Sequence, residues 1–126
     1  MPLENAGRDH IAAALKGEVP TPFNAANAYI GAGDSGDAFD ATDTDLQAPT
    51  NKLRKGMDST YPQRTVNVLT LRATFGTSEA NWAWKEWGVF NAVSSGTMLC
   101  RKVEALGIKV NTQSWEITVE VTVNNP

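Results

Sequence analysis

The alternation of apolar and polar side chains is clearest at 114–123, where Trp115, Ile117, Val119, Val121 and Val123 interleave with Ser114, Glu116, Thr118, Glu120 and Thr122. A period of two held over such a stretch predicts a half-buried strand. In 64–75, Asn67, Leu69, Leu71, Ala73 and Phe75 alternate with Val66, Val68, Thr70, Arg72 and Thr74, which predicts one long strand with an apolar face and a mixed one. Between the two lies 79–91, EANWAWKEWGVFN, which concentrates Trp82, Trp84 and Trp87. At period two, Trp82, Trp84, Glu86, Gly88 and Phe90 share one face, and Ala83, Lys85, Trp87 and Val89 share the other. An indole on each face predicts a strand covered on both sides, or one with a side presented to a partner. Ala83, Trp87 and Phe90 also fall at helical spacing, but Gly88 and its Val and Phe neighbours favour a strand. Residues 97–104 supply a further strand and 28–33 a short one.

Short turns join these segments and no helical crossover separates them. The expected fold is therefore mainly β: a small antiparallel β-sandwich with an N-terminal helix and an extended arm. One residue on the tryptophan strand needs a partner. Glu86 lies on an apolar face, and a buried carboxylate there must be paired or hydrogen-bonded. Arg72 and Arg101, on neighbouring strands, are the candidate partners, with loop backbone amides as further donors.

The remaining chain is less periodic. Asn5 is the expected N-cap of a helix over 6–16, and Gly17 its C-terminal stop. Its narrow stripe of Ile11, Ala12 and Leu15 fits docking either on its own domain or on a neighbouring molecule. In 19–27, VPTPFNAAN, two prolines favour an extended connector. The division that results is a helix and arm at 1–27 and a sandwich at 28–126, interrupted by a long surface excursion at about 34–63. Within that excursion a short capped helix through Leu46 and one helical turn near Lys52 are expected. Ile11, Leu15, Phe23 and Trp87 are the interface candidates, Trp87 because it opposes Trp82 and Trp84 and because tryptophan is enriched at binding hot spots.

Composition narrows the chemistry. With 126 residues, the chain is one domain able to bury a core without metal or disulfide, and its single Cys100 has no partner within the chain. The net charge of -3 argues against a nucleic-acid or anionic-membrane surface, and the N-terminus lacks the basic-then-apolar order of a signal peptide. Gly31, Gly33 and Gly36 spell G-x-G-x-x-G, but Asp37, Asp40, Asp43 and Asp45 follow where a phosphate-binding helix should start. Gly33-Asp34-Ser35-Gly36 has the local order of a serine-protease nucleophile loop, yet His10, the only histidine, has no evident path to it. The plain reading of these glycines is a tight turn with positive φ. The aspartates of 34–45 are oxygen-rich enough to suggest calcium, although their spacing is not that of an EF-hand. No catalytic, cofactor-binding or metal residue is expected. A carbohydrate-binding module is the alternative function, and it requires exposed, coplanar indoles.

One resemblance runs along the same residues. A short strand with an acidic glycine turn at 29–34 is followed by Thr44-Asp45-Leu46, by Lys52-Leu53-Arg54 and by a long strand. Then come Glu86-Trp87-Gly88-Val89-Phe90-Asn91-Ala92 and Ser95-Gly96-Thr97-Met98-Leu99. This order resembles small tailed-bacteriophage virion proteins. It is similar in particular to the N-terminal domain of phage tail-collar fibre proteins, where E-x-G-[LVI]-F-[ND], a turn ending in G-T and a final alternating strand recur. The resemblance implies a structural virion protein assembled in the host bacterial cytoplasm, with itself and other virion proteins as partners. A long shaft and receptor-binding tip do not follow within the sequence, so the implied role is a tail, collar, baseplate or capsid-surface one.

Overall fold

A computed structural model describes residues 2–124, in which the alternating segments form two antiparallel sheets packed face to face. The elements run α1 (Asn5–Lys16), β1 (Tyr29–Gly33), β2 (Lys52–Gly56), β3 (Gln63–Thr65), β4 (Val68–Phe75), β5 (Ala83–Phe90), β6 (Met98–Ile108) and β7 (Trp115–Thr122). One sheet has the order β2-β1-β5-β6 and the other β3-β4-β7. The sandwich and the N-terminal helix are as the patterning predicts.

Between the sheets, Ile30, Ala32, Trp84, Trp87 and Val89 meet Leu71, Ala73, Phe75 and Val119. Phe75 and Trp84 pack edge to face with centroids 4.8 Å apart. Burying each of the larger side chains contributes roughly 1.5–3 kcal/mol. The outer face of the four-stranded sheet is covered as well. Loop 34–48 lies over it, and Leu46 packs there with Phe90 and Met98. The tryptophan strand is thus buried on both sides, by the second sheet and by its own chain.

Four local expectations are corrected. The segment 64–75 is a hairpin rather than one strand: Val66, at φ 54, turns the chain between β3 and β4. Lys52–Gly56 is an edge strand paired with β1, not a helical turn. The short capped helix through Leu46 does not form, because Asp40, Thr42 and Asp43 hydrogen-bond among themselves in a turn. Gly31 and Gly33 belong to β1 and have no positive φ; what each requires is the absence of a side chain.

The parity of β5 also breaks. Trp84 pairs with Gly107 while Glu86 pairs with Val103, so Glu104, Ala105 and Leu106 of β6 stand against Lys85 alone. This bulge leaves Lys85 in water and turns Trp84 onto the same face as Trp87 and Val89. Only Glu86, Gly88 and Phe90 keep the opposite face.

The N-terminal segment docks on its own sandwich. Leu3 bridges Cys100 on the outer edge of β6, Glu4 N–H donates to Leu99 O at 3.0 Å, and Asn5 N–H donates to Ala41 O at 2.8 Å. The N-cap position belongs to Glu4, without a side-chain cap, and not to Asn5. Gly17 ends the helix in the left-handed region, as expected. The seated face is Ala6, Gly7, His10 and Ala13, whereas Ala12 and Leu15 point outward and Ile11 lies partly open at the margin. Small residues win this position because Gly7 lies against the Leu99 carbonyl, where any Cβ would collide.

Candidate functional site

The densest polar structure in the protein sits under loop 34–48. Glu86 is 0% exposed, and its Oε1 accepts from Arg101 Nε at 2.7 Å and from Gln47 N–H at 2.8 Å. Its Oε2 accepts from Ala48 N–H at 2.8 Å. Arg101, also 0% exposed, reaches on to Asp37 O at 3.0 Å and to Asp43 Oδ2 at 3.4 Å. The expected pairing of Glu86 with Arg101 and with loop amides is present. Arg72 belongs elsewhere: its Nε donates to Asp58 Oδ2 at 3.1 Å, and its guanidinium lies over the Tyr61 ring. A buried pair this well hydrogen-bonded fixes where the loop can lie, since any other loop position strands two charges away from water.

Gly33 stands opposite Glu86 in the β1–β5 register, and a Cβ there would fall inside contact distance of Oε2. Gly33→Ala is therefore expected to lower stability by about 1–3 kcal/mol, because the carboxylate cannot yield without losing its amide donors. A urea unfolding curve checks this, and an unchanged midpoint would contradict the geometry.

Two aspartates of the acidic loop meet cations of the chain itself. Asp45 takes Lys52 at 2.9 Å and Arg54 at 3.3 Å, and Asp43 takes Arg101. Lys52, Arg54 and the Leu46 backbone amide hold the Asp45 carboxyl below its ordinary range, against the opposing effect of burial, the largest single influence on it. Among the described residues no group of three or more His, Cys, Asp or Glu side chains is placed to hold a metal ion. Arg54 also donates to Ala92 O and Ser95 O and covers the Phe90 ring at 3.6 Å, tying the turn after β5 to β2. Asn91 completes that turn, accepting from Thr97 N–H at 2.7 Å and donating to Thr21 O at 3.0 Å.

The residues that suggested enzymes are scattered. Ser35 Oγ accepts from Asp37 N–H, His10 packs edge-on against Phe23, and no helix follows Gly36. Cys100 is buried, and burial pushes its thiol up to about 12, far from a reactive thiolate.

Of the interface candidates, Trp87 is 8% exposed and belongs to the core, because the bulge turns Trp84 to the same side. Phe23 is half-buried against that core and Ile11 lies partly open, while Leu15 is 84% exposed. Trp115, like Trp82, is half-buried. It meets Trp84 at 63°, edge-on rather than coplanar. An open cavity of about 510 Å³ lies beside it, lined by Trp84, Trp87 and Leu106 and by residues 114–119. A second cavity of about 240 Å³ lies at the other end of β7, between Ile11, Phe23, Leu69, Val121 and Val123. Sequence reasoning missed this apolar seam. The half-buried parity of 114–123 was its one signal.

No helix among the described residues is long and apolar enough to cross a membrane. No family model matches this chain, and no curated protein matches it.

Proposed function

We propose that this chain is a non-enzymatic structural component of a bacteriophage virion, a tail, collar or baseplate adaptor or a capsid-surface protein. It acts by associating with itself and docking to neighbouring virion proteins. The observation that carries this reading is the place of the residues behind the resemblance to tail-collar fibre proteins. Glu86 fixes loop 34–48, Gly88 lets Cys100 O approach, Phe90 supports Leu46 and Arg54, and Asn91 holds Thr97. A pattern shared through packing positions points to a shared scaffold rather than to shared chemistry. The polar groups of this scaffold are spent on holding loops, while an apolar seam stays open along β7, which suits docking better than turnover.

Proteomic detection in purified particles, followed by location of the density on the intact particle, tests the proposal. The expected result is a stoichiometric component at one position. Absence from particles would refute the virion role, and a strict monomer in native mass spectrometry that binds no virion component would refute the docking.

A further inference from the structure

Strand β7 is an unpaired edge of the three-stranded sheet. Val123 N–H donates to Asn67 O, so the odd-numbered residues of β7 turn their backbone groups to β4. Glu116, Thr118, Glu120 and Thr122 turn theirs to the free side. Only Glu116 and Glu120 charge this edge. It pairs with β4 from Trp115 to Thr122 without a bulge and contains neither lysine nor proline. Its inward side chains Trp115, Ile117 and Val121 are only half-buried, whereas Leu71, Ala73 and Phe75 on β4 are 0% exposed. The two open cavities flank that inward side at either end.

We infer that β7 pairs antiparallel with β7 of a second copy of this chain, about a twofold axis at Val119, to make one continuous six-stranded sheet of the order β3-β4-β7-β7-β4-β3. The inference rests on the self-association in the function proposed above and names its surface.

The register follows from the side chains and from overlap, since an axis at Ile117 or Val121 also keeps the glutamates apart but pairs less of β7. Free backbone groups sit on even residues, so even residues must face even residues; a one-residue slip would also put apolar side chains on the wet face. An axis at Thr118 sets Glu116 opposite Glu120, and an axis at Glu120 sets two copies of Glu120 face to face. Like charges directly opposite destabilise a sheet. With the axis at Val119, Thr118 faces Glu120 and Glu116 faces Thr122, so no glutamate opposes another. On the inner face the same register sets Val119 against Val119, Ile117 against Val121, and Trp115 against Val123. It brings Val123, 72% exposed in the single chain, to the mouth of the larger cavity of the other copy. A closed, isologous pair of this kind buries both edges at once.

Sedimentation of the full chain, with single substitutions, tests the inference. The wild-type protein is expected to dimerise, and Thr118→Pro to lose the dimer while keeping its circular dichroism and a cooperative thermal transition that no longer depends on protein concentration, because the Thr118 N–H faces away from β4. Cysteine substitution gives an independent reading that needs no proline in the strand. Val119→Cys is expected to cross-link two chains under mild oxidation, since residues on the axis approach closely as a non-hydrogen-bonded pair, while Thr118→Cys and Glu120→Cys do not. A protein monomeric at all accessible concentrations, or a dimer that keeps its strength in a folded Thr118→Pro variant and does not cross-link through Val119→Cys, overturns the pairing. A monomer that is still found in particles overturns the pairing and leaves the virion role standing. A dimer cross-linked through Val119→Cys but absent from particles supports the pairing and removes the virion role.

Discussion

Arg101→Met is expected to lower the unfolding free energy by about 3–5 kcal/mol, because it leaves the Glu86 carboxylate buried without its cation. Methionine fills much of the arginine stem, so the loss is electrostatic rather than a cavity. Glu86 would retain the amides of Gln47 and Ala48, at 2.8 Å each, but two neutral donors do not replace a guanidinium at 2.7 Å. Urea unfolding reads the effect as a lower midpoint with little change in slope. Adding Glu86→Gln to Arg101→Met is expected to recover part of the loss, since the amide keeps one acceptor oxygen and carries no charge. Limited proteolysis locates the damage: loop 34–48 loses its ties from Arg101 to Asp37 O and Asp43 and becomes the first site of cleavage. A loss below about 1 kcal/mol, the range of an exposed ion pair, would show that the pair does not hold the loop.

This pair was legible in the sequence for a physical reason. A carboxylate on an apolar face has few ways to exist, and a strand neighbour bearing arginine is the nearest of them. The parity of β7 was legible for a related reason, since no bulge interrupts its ladder with β4. What stayed hidden depended on distant groups. The bulge opposite Lys85 arises from the pairing of β5 with β6, and no local feature of 79–91 announces it; hence Trp87 read as the outward indole when Trp84 shares its face. Lys52–Gly56 carries three basic residues and one leucine, a poor strand by composition. It becomes one because β1 offers an edge and Asp45 and Glu79 receive Lys52, Arg54 and Lys55. The seated face of α1 was misjudged because docking is set by the room that Gly7 leaves for the Leu99 carbonyl, not by apolar bulk.

The same docking makes stability fall as pH rises through neutrality. Glu4, at the start of α1, is 0% exposed, and among the described residues neither carboxyl oxygen has a hydrogen-bond partner. Burial raises its pKa from the ordinary 4.5 to about 7; Asp43 and Asp40 push in the same direction, and Arg101, already committed to Glu86, opposes them. The folded state therefore holds a proton that the unfolded chain releases. Its contribution is fully present below about pH 4.5 and is lost as pH climbs through about 7, at up to about 1.4 kcal/mol per pH unit and about 3 kcal/mol in total. Asp45, where burial is outweighed by Lys52, the Leu46 amide and Arg54, and Glu79, held low chiefly by its hydrogen bond from Lys55, act with the opposite sign and only in more acidic solution. Glu4→Gln is neutral at every pH, so its unfolding midpoint is expected to vary little from about pH 5 to about pH 8. It should lie above that of the wild-type protein at the alkaline end, and the advantage should vanish at the acidic end. The loss should begin locally, because ionised Glu4 must leave its site before β4 or β5 feels it. Amide exchange at Glu4 and Asn5, bonded to Leu99 O and Ala41 O, is expected to accelerate with pH beyond the intrinsic rate while the core strands stay protected. Parallel pH profiles for the wild-type protein and Glu4→Gln would mean that Glu4 is already ionised, with its charge met by a group other than Arg101.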